Sequence, residues 1–95
     1  MKICRVIGNA TASIKHPGLE GLKLLVVQEI DAEGQTAGRM RLAADVVGAG
    51  AGDLVALVRG AAAVRHAGRG ELPCDAAVVA ILDQVSVNDR SITPK

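Results

Sequence analysis

Apolar and polar residues alternate with a period of two at the start of the chain. Cys4, Val6, Gly8, Ala10, Ala12 and Ile14 stand at even positions and are small or apolar. Arg5, Asn9, Thr11 and Ser13 stand at odd ones, with Ile3 and Ile7 as exceptions. This period predicts a strand over residues 2–14 with one face on a core. His16-Pro17-Gly18-Leu19-Glu20-Gly21 is turn material, because proline fixes φ and the glycines allow reversal. From Leu22 to Ile30 the apolar residues are nearly continuous, which predicts a strand buried on both faces. Asp31-Ala32-Glu33-Gly34 reads as a hairpin loop with glycine at the left-handed position, and Arg39 to Val47 as the returning strand.

A further strand is expected over 53–59. Ala61 to Ala67 has the highest helix propensity in the chain and ends at Gly68-Arg69-Gly70. A helix this short is held by packing rather than by propensity. Pro73-Cys74-Asp75 reads as a turn, with Asp75 placed to cap a single helical turn. Ala77 to Val87 reads as a final strand, and 88–95 as a polar tail, loose or bound to a partner. The chain is therefore expected to be mainly β: a five-stranded OB-like β-barrel domain over 1–87 with one short helix.

The stretch Gly48-Ala49-Gly50-Ala51-Gly52-Asp53 looks at first like a phosphate-cradling loop. A dinucleotide fingerprint counted from Gly48 needs its third glycine at 53, where Asp53 stands; counted from Gly50 it needs one at 55, where Val55 stands. The Walker ending is missing as well. The following Leu54-Val55-Ala56-Leu57-Val58 reads as a buried strand, so no helix N-terminus faces an anion. The glycines are expected to serve a turn that uses positive φ or close backbone approach, Gly50 included.

Composition narrows the function. With 11 basic and 10 acidic residues the net charge is +1, which gives no global field for nucleic acid or an anionic membrane. No apolar run approaches the length of a membrane span, and Met1-Lys2-Ile3-Cys4-Arg5 lacks a signal-peptide core, so a cytoplasmic location is expected. The chain has no aromatic residue, which removes base stacking and the usual lining of ligand pockets. Yet 49% of its residues are hydrophobic. A domain this small exposes part of that surface unless it oligomerises.

Candidate chemistry is sparse. His16 and His66 have no acid or thiol at ligand spacing, and Cys4 and Cys74 match no metal pattern, so no metal and no cofactor is expected. Both cysteines are expected reduced. Ser13, Ser86 and Ser91 lack a nucleophile elbow. Glu29 and Asp31 share a strand face beside a hairpin and read as a solvated edge; Arg39 and Arg41 share another and read as solvated or ion-paired at an interface, the alternative being that they line an anion path. Arg59, closing an apolar strand, is expected to be partly buried and to need Asp45, Asp75 or a carbonyl as its partner. No constellation supports an enzyme.

Several motifs in order resemble one family. They are Met1-Lys2-Ile3 with Arg5-Val6-Ile7-Gly8, Lys15 to Leu25, Asp45 to Asp53, Val58-Arg59-Gly60, and Pro73-Cys74-Asp75-Ala76-Ala77-Val78-Val79-Ala80-Ile81-Leu82-Asp83. Together they are similar to the EutN/CcmL family, the pentameric vertex proteins of bacterial microcompartment shells, from residue 1 to about 85. The resemblance implies a cyclic homopentamer that caps a vertex of a carboxysome or catabolic shell. Its partners would be the hexameric and pseudohexameric proteins that tile the facets.

The resemblance also implies that Gly48, Ala49, Gly50, Ala51 and Gly52 lie at the five-fold axis or edge its pore. Arg59, Gly60, Ala61, Ala62, Pro73 and Asp75 are implied at the subunit interface. Three positions depart from the family pattern: Ala61 where serine often follows Arg-Gly, Cys74 where valine is common, and Ala80 where glycine is common. The competing reading is an oligomeric barrel module for a small ligand or nucleotide, with Arg39, Arg41 and Arg59 as its donors.

Overall fold

The alternating N-terminal segment forms strand β1 (Lys2–Ala10), with a bulge between Val6 and Gly8. The chain is represented by a computed structural model, which describes residues 1–10, 23–60 and 76–95. The expected extension of β1 to residue 14, the turn at 16–21, the helix at 61–67 and the turn at Pro73–Asp75 lie outside the described residues. β1 is followed by β2 (Lys23–Ile30), β3 (Thr36–Asp45), β4 (Leu54–Arg59) and β5 (Ala76–Leu82). These five strands close into a barrel in the order β1-β2-β3-β5-β4, with β4 returning to β1. All neighbours are antiparallel except β3 and β5, which run parallel. The order is that of a Greek-key OB-type barrel, as the strand count predicted.

Cys4, Val6, Leu25, Val27, Ala43, Val55, Leu57, Ala76 and Val78 fill the interior together with Ala49. Barrel diameter grows with strand number, so five strands enclose a narrow interior. Leucine, valine, alanine and cysteine fill that space without an aromatic ring. β2 is not buried on both faces as expected. Leu25 and Val27 are fully buried, whereas Leu24 and Val26 on the other face are only half-buried.

The last fifth of the expected pattern is also revised. The single strand 77–87 is broken at Asp83–Gln84, and residues 85–92 form a separate hairpin of β6 (Val85–Val87) and β7 (Arg90–Ile92). Asn88 and Asp89 form its two-residue turn with φ of 49° and 64°. Positive φ at both positions is what a type I′ hairpin turn requires, and Asn and Asp tolerate it best among non-glycine residues. The expected boundary between residues 87 and 88 thus falls inside this hairpin. Ile92 is 7% exposed and packs on the loop after β2, where a Cβ on Gly34 would lie 3.3 Å from it.

Candidate functional site

The glycine turn between β3 and β4 is held by its own carboxylates. Asp45 Oδ1 accepts from the N–H groups of Val47 and Gly48, each at 3.1 Å, and Asp53 Oδ2 accepts from Gly50 N–H at 2.8 Å. These acceptors sit where an anion cradle would need free donors, so the turn has no vacancy for a phosphate. Gly48 and Gly52 adopt φ of 83° and 90°. Gly50 has no positive φ, and a Cβ there would meet nothing within 4 Å, so its expected conformational need falls on its neighbours instead. Lys23 Nζ ties the turn to β2 by donating to the Ala49 carbonyl at 2.7 Å and pairing with Asp45 Oδ2 at 3.6 Å.

Of the five residues implied at an axis, Ala49 is fully buried in the barrel core. Gly52 faces its own chain: its N–H donates to the Val6 carbonyl, and its carbonyl accepts from Lys95 N–H at 3.0 Å. Gly48 and Gly50 have open space at the Cβ position, and Ala51 is exposed.

A second polar cluster lies at the N-terminal end of β1. Glu29 Oε1 pairs with Lys2 Nζ at 3.0 Å, and Glu29 Oε2 accepts from Arg41 Nε at 3.2 Å. Directly opposed residues on antiparallel strands share a face. Cys4 opposes Glu29, and Arg41 opposes Val27, so the cluster sits on the inward side above Cys4. The hydrogen bond from Lys2 holds the Glu29 carboxyl below its ordinary range; burial opposes this and Arg41 reinforces it. Burial, with the Glu29 charge adding to it, pushes the Cys4 thiol up to about 11, against smaller opposing effects of Arg41 and Lys2. The Glu29–Asp31 pair expected on one solvated edge is thus divided between two tasks. Glu29 joins three strands, and Asp31 Oδ1 organises the loop by accepting from Glu33 N–H and Gln35 N–H.

The remaining candidates lie apart. Arg39 is exposed and Arg41 is ion-paired, so they do not converge with Arg59 on a donor pocket. Arg59 and Gly60 are exposed at the end of β4, not partly buried as expected for Arg59. The carboxylate of Asp45 is taken by Lys23 and the turn amides. Ala61, Ala62, Pro73, Cys74, Asp75 and both histidines lie outside the described residues. Among the described residues no three His, Cys, Asp or Glu side chains gather as metal ligands.

Sequence reasoning missed Lys2, Lys23 and Arg5, because their partners are set by barrel register and not by spacing along the chain. What the outer surface does present is aliphatic. Met40 is 63% exposed and Leu42 49%, two positions apart on β3, and Ile3, Ile7, Val46, Val47 and Ile81 are also exposed.

Comparison with known proteins gives this surface its context. Residues 1–83 match the family described as ethanolamine utilisation protein EutN/carboxysome. The chain is 43% identical over its full length, and over 95% of the relative, to the carboxysome shell vertex protein CcmL of Synechocystis sp.. The solved structure of Gloeobacter violaceus CcmL superposes with a TM-score of 0.87 at 43% identity, covering 100% of this chain and 98% of that one. The GrpN pentameric microcompartment shell protein of Rhodospirillum rubrum superposes with a TM-score of 0.81 at 34% identity, covering 92% and 99%. With the closed five-stranded barrel, the family match over residues 1–83 and full-length identity at this level, the chain belongs to the EutN/CcmL family of shell proteins.

Proposed function

We propose that five copies of this chain form a ring that caps a vertex of a bacterial microcompartment shell, as a structural component and not as an enzyme. The observation that carries the reading is a closed barrel with a saturated glycine turn whose outer face shows large aliphatics, Met40 and Leu42 above all. Such surface on a small domain marks an interface, and head-to-tail contacts between identical copies close into rings. The relatives named as vertex and pentameric shell proteins supply the number five and the vertex.

On this reading the shell lies in the cytoplasm and encloses carboxysome or catabolic enzymes. The ring then meets hexameric and pseudohexameric facet proteins, and binds neither nucleic acid nor membrane. Gly48, Gly50 and Ala51 face the five-fold axis, with Ala49 and Gly52 behind them as parts of the barrel. Arg59 and Gly60, with Ala61, Ala62, Pro73 and Asp75, form the contact between subunits. Light scattering behind size exclusion tests the ring. Five copies of the 9.7 kDa chain give roughly 48 kDa, and a monodisperse species of any other copy number overturns the pentamer.

A further inference from the structure

Arg5 and Asp45 are the two charged residues buried among those described. They are treated very differently. Asp45 has Lys23 and two backbone N–H groups. Arg5, only 9% exposed, donates one hydrogen bond among the described residues, from Nη1 to the Thr93 carbonyl at 3.1 Å, and no carboxylate of those residues lies within ion-pair distance of it. A guanidinium carries several N–H donors in a planar fork that matches two oxygens of a carboxylate or phosphate. Withdrawing that charge from water is costly without an anionic partner.

The space for such a partner is present. Arg5 lines a cleft of about 410 Å³ between the outer face of the barrel and residues 91–95 that follow the hairpin turn. Lys95 is a second cation on its wall, the hydroxyl-bearing Thr36 and Ser91 also line it, and Glu33 is the carboxylate side chain among its lining residues. Glu33 is exposed and forms no ion pair with either cation among the described residues.

We infer that this cleft binds a small oxyanion, a carboxylate or phosphate group, with Arg5 as its anchor and Lys95 as a second positive charge. The cleft adjoins the glycine turn through the Lys95–Gly52 backbone contact but contains none of the turn's own residues, and it does not rest on the ring. The polar groups would orient the anion, while Glu33 weakens binding by like-charge repulsion.

The test titrates the full-length protein, in its native assembly state, with inorganic phosphate and separately with acetate. Sodium chloride at matched ionic strength is the control. Expected are saturable changes in the Arg5 Nε–H resonance and in the amides of Ser91, Ile92, Thr93 and Lys95, with a matching rise in melting temperature. Arg5→Gln is expected to weaken affinity about tenfold or more, the loss of one charge-assisted contact. Glu33→Gln is expected to tighten it. Phosphate and acetate responses rank the two oxyanion classes. Changes that do not saturate, or that chloride reproduces, overturn the inference from the wild-type protein alone, whether or not Arg5→Gln folds. Unaltered affinity in a folded Arg5→Gln variant overturns it equally.

Discussion

Gly52 and Lys95 lie in direct backbone contact: the Lys95 N–H donates to the Gly52 carbonyl at 3.0 Å, and a Cβ on Gly52 would stand 2.7 Å from the Lys95 carbonyl oxygen. The residues after the hairpin therefore run back onto the turn that joins β3 to β4. That contact is possible only while position 52 has no side chain, because the neighbouring atom is backbone and does not swing aside.

Gly52→Ala meets both a strained φ and this contact. It is expected to cost about 1–3 kcal/mol in denaturant unfolding and to free the C-terminal residues. Gly50→Ala, without positive φ and with open space at Cβ, is expected to leave protomer stability within about 1 kcal/mol of wild type. Equal losses in the two variants would show that the turn does not discriminate as the geometry demands. A Gly50→Val protein that folds normally but fails to form the ring would locate a close approach between copies at that position.

The Lys2–Glu29–Arg41 cluster gives stability a definite acid dependence. The folded Glu29 pKa is depressed, so its contribution is complete above the unfolded carboxyl pKa and is lost as pH falls through the lower folded value. Glu29→Gln is expected to lower the melting temperature at pH 7 by about 5 °C, roughly one charge-assisted hydrogen bond in a domain of this size. The difference from wild type should narrow steadily as pH drops through the acid range. A difference independent of pH would assign the loss to packing.

Cys4 is fully buried, and its thiol stays protonated at neutral pH. Thiolate is the reactive form, so Cys4 is expected to resist thiol reagents at pH 8 in the folded protein and to react fully in denaturant. Mapping the modified peptide by mass spectrometry separates it from Cys74. Rapid native labelling at Cys4 would mean that the Glu29 end of the barrel opens.

Two substitutions separate ring contacts from the fold. Leu42→Asp removes an exposed aliphatic from the outer face of β3 and is expected to lower the assembled mass without unfolding the barrel. Arg59→Ala is expected to weaken the ring by about 1–3 kcal/mol, followed as dissociation on dilution. If both variants keep wild-type mass and melting behaviour, neither residue belongs to a subunit contact.

Much of the barrel was legible in local pattern. Period-two alternation placed β1, the apolar run placed β2, and Asp31 to Gly34 marked the loop between β2 and β3, where Gly34 takes φ of 78°. The Asn88-Asp89 turn was equally present in the residues, between Val85-Ser86-Val87 and Arg90-Ser91-Ile92. Its polar composition hid it, because a tail and a solvent-facing hairpin look alike when only hydrophobicity is weighed.

By itself the sequence determined the strands of the barrel, the aliphatic interior, the glycine turn and the family, since each depends on side-chain type at short spacing. Only the tertiary structure decided which charges meet: Glu29 with Lys2 and Arg41, Lys23 with Asp45, and Arg5 beneath Thr93. It also decided that Gly48 and Gly52, rather than Gly50, adopt the positive φ of the turn. The physical reason is closure. In a barrel, the partner of a residue is set by strand register across the sheet, and a one-residue slip or bulge moves a side chain to the opposite face. The bulge between Val6 and Gly8 is such a feature, and the only local trace of it is Ile7 breaking the alternation beside Gly8.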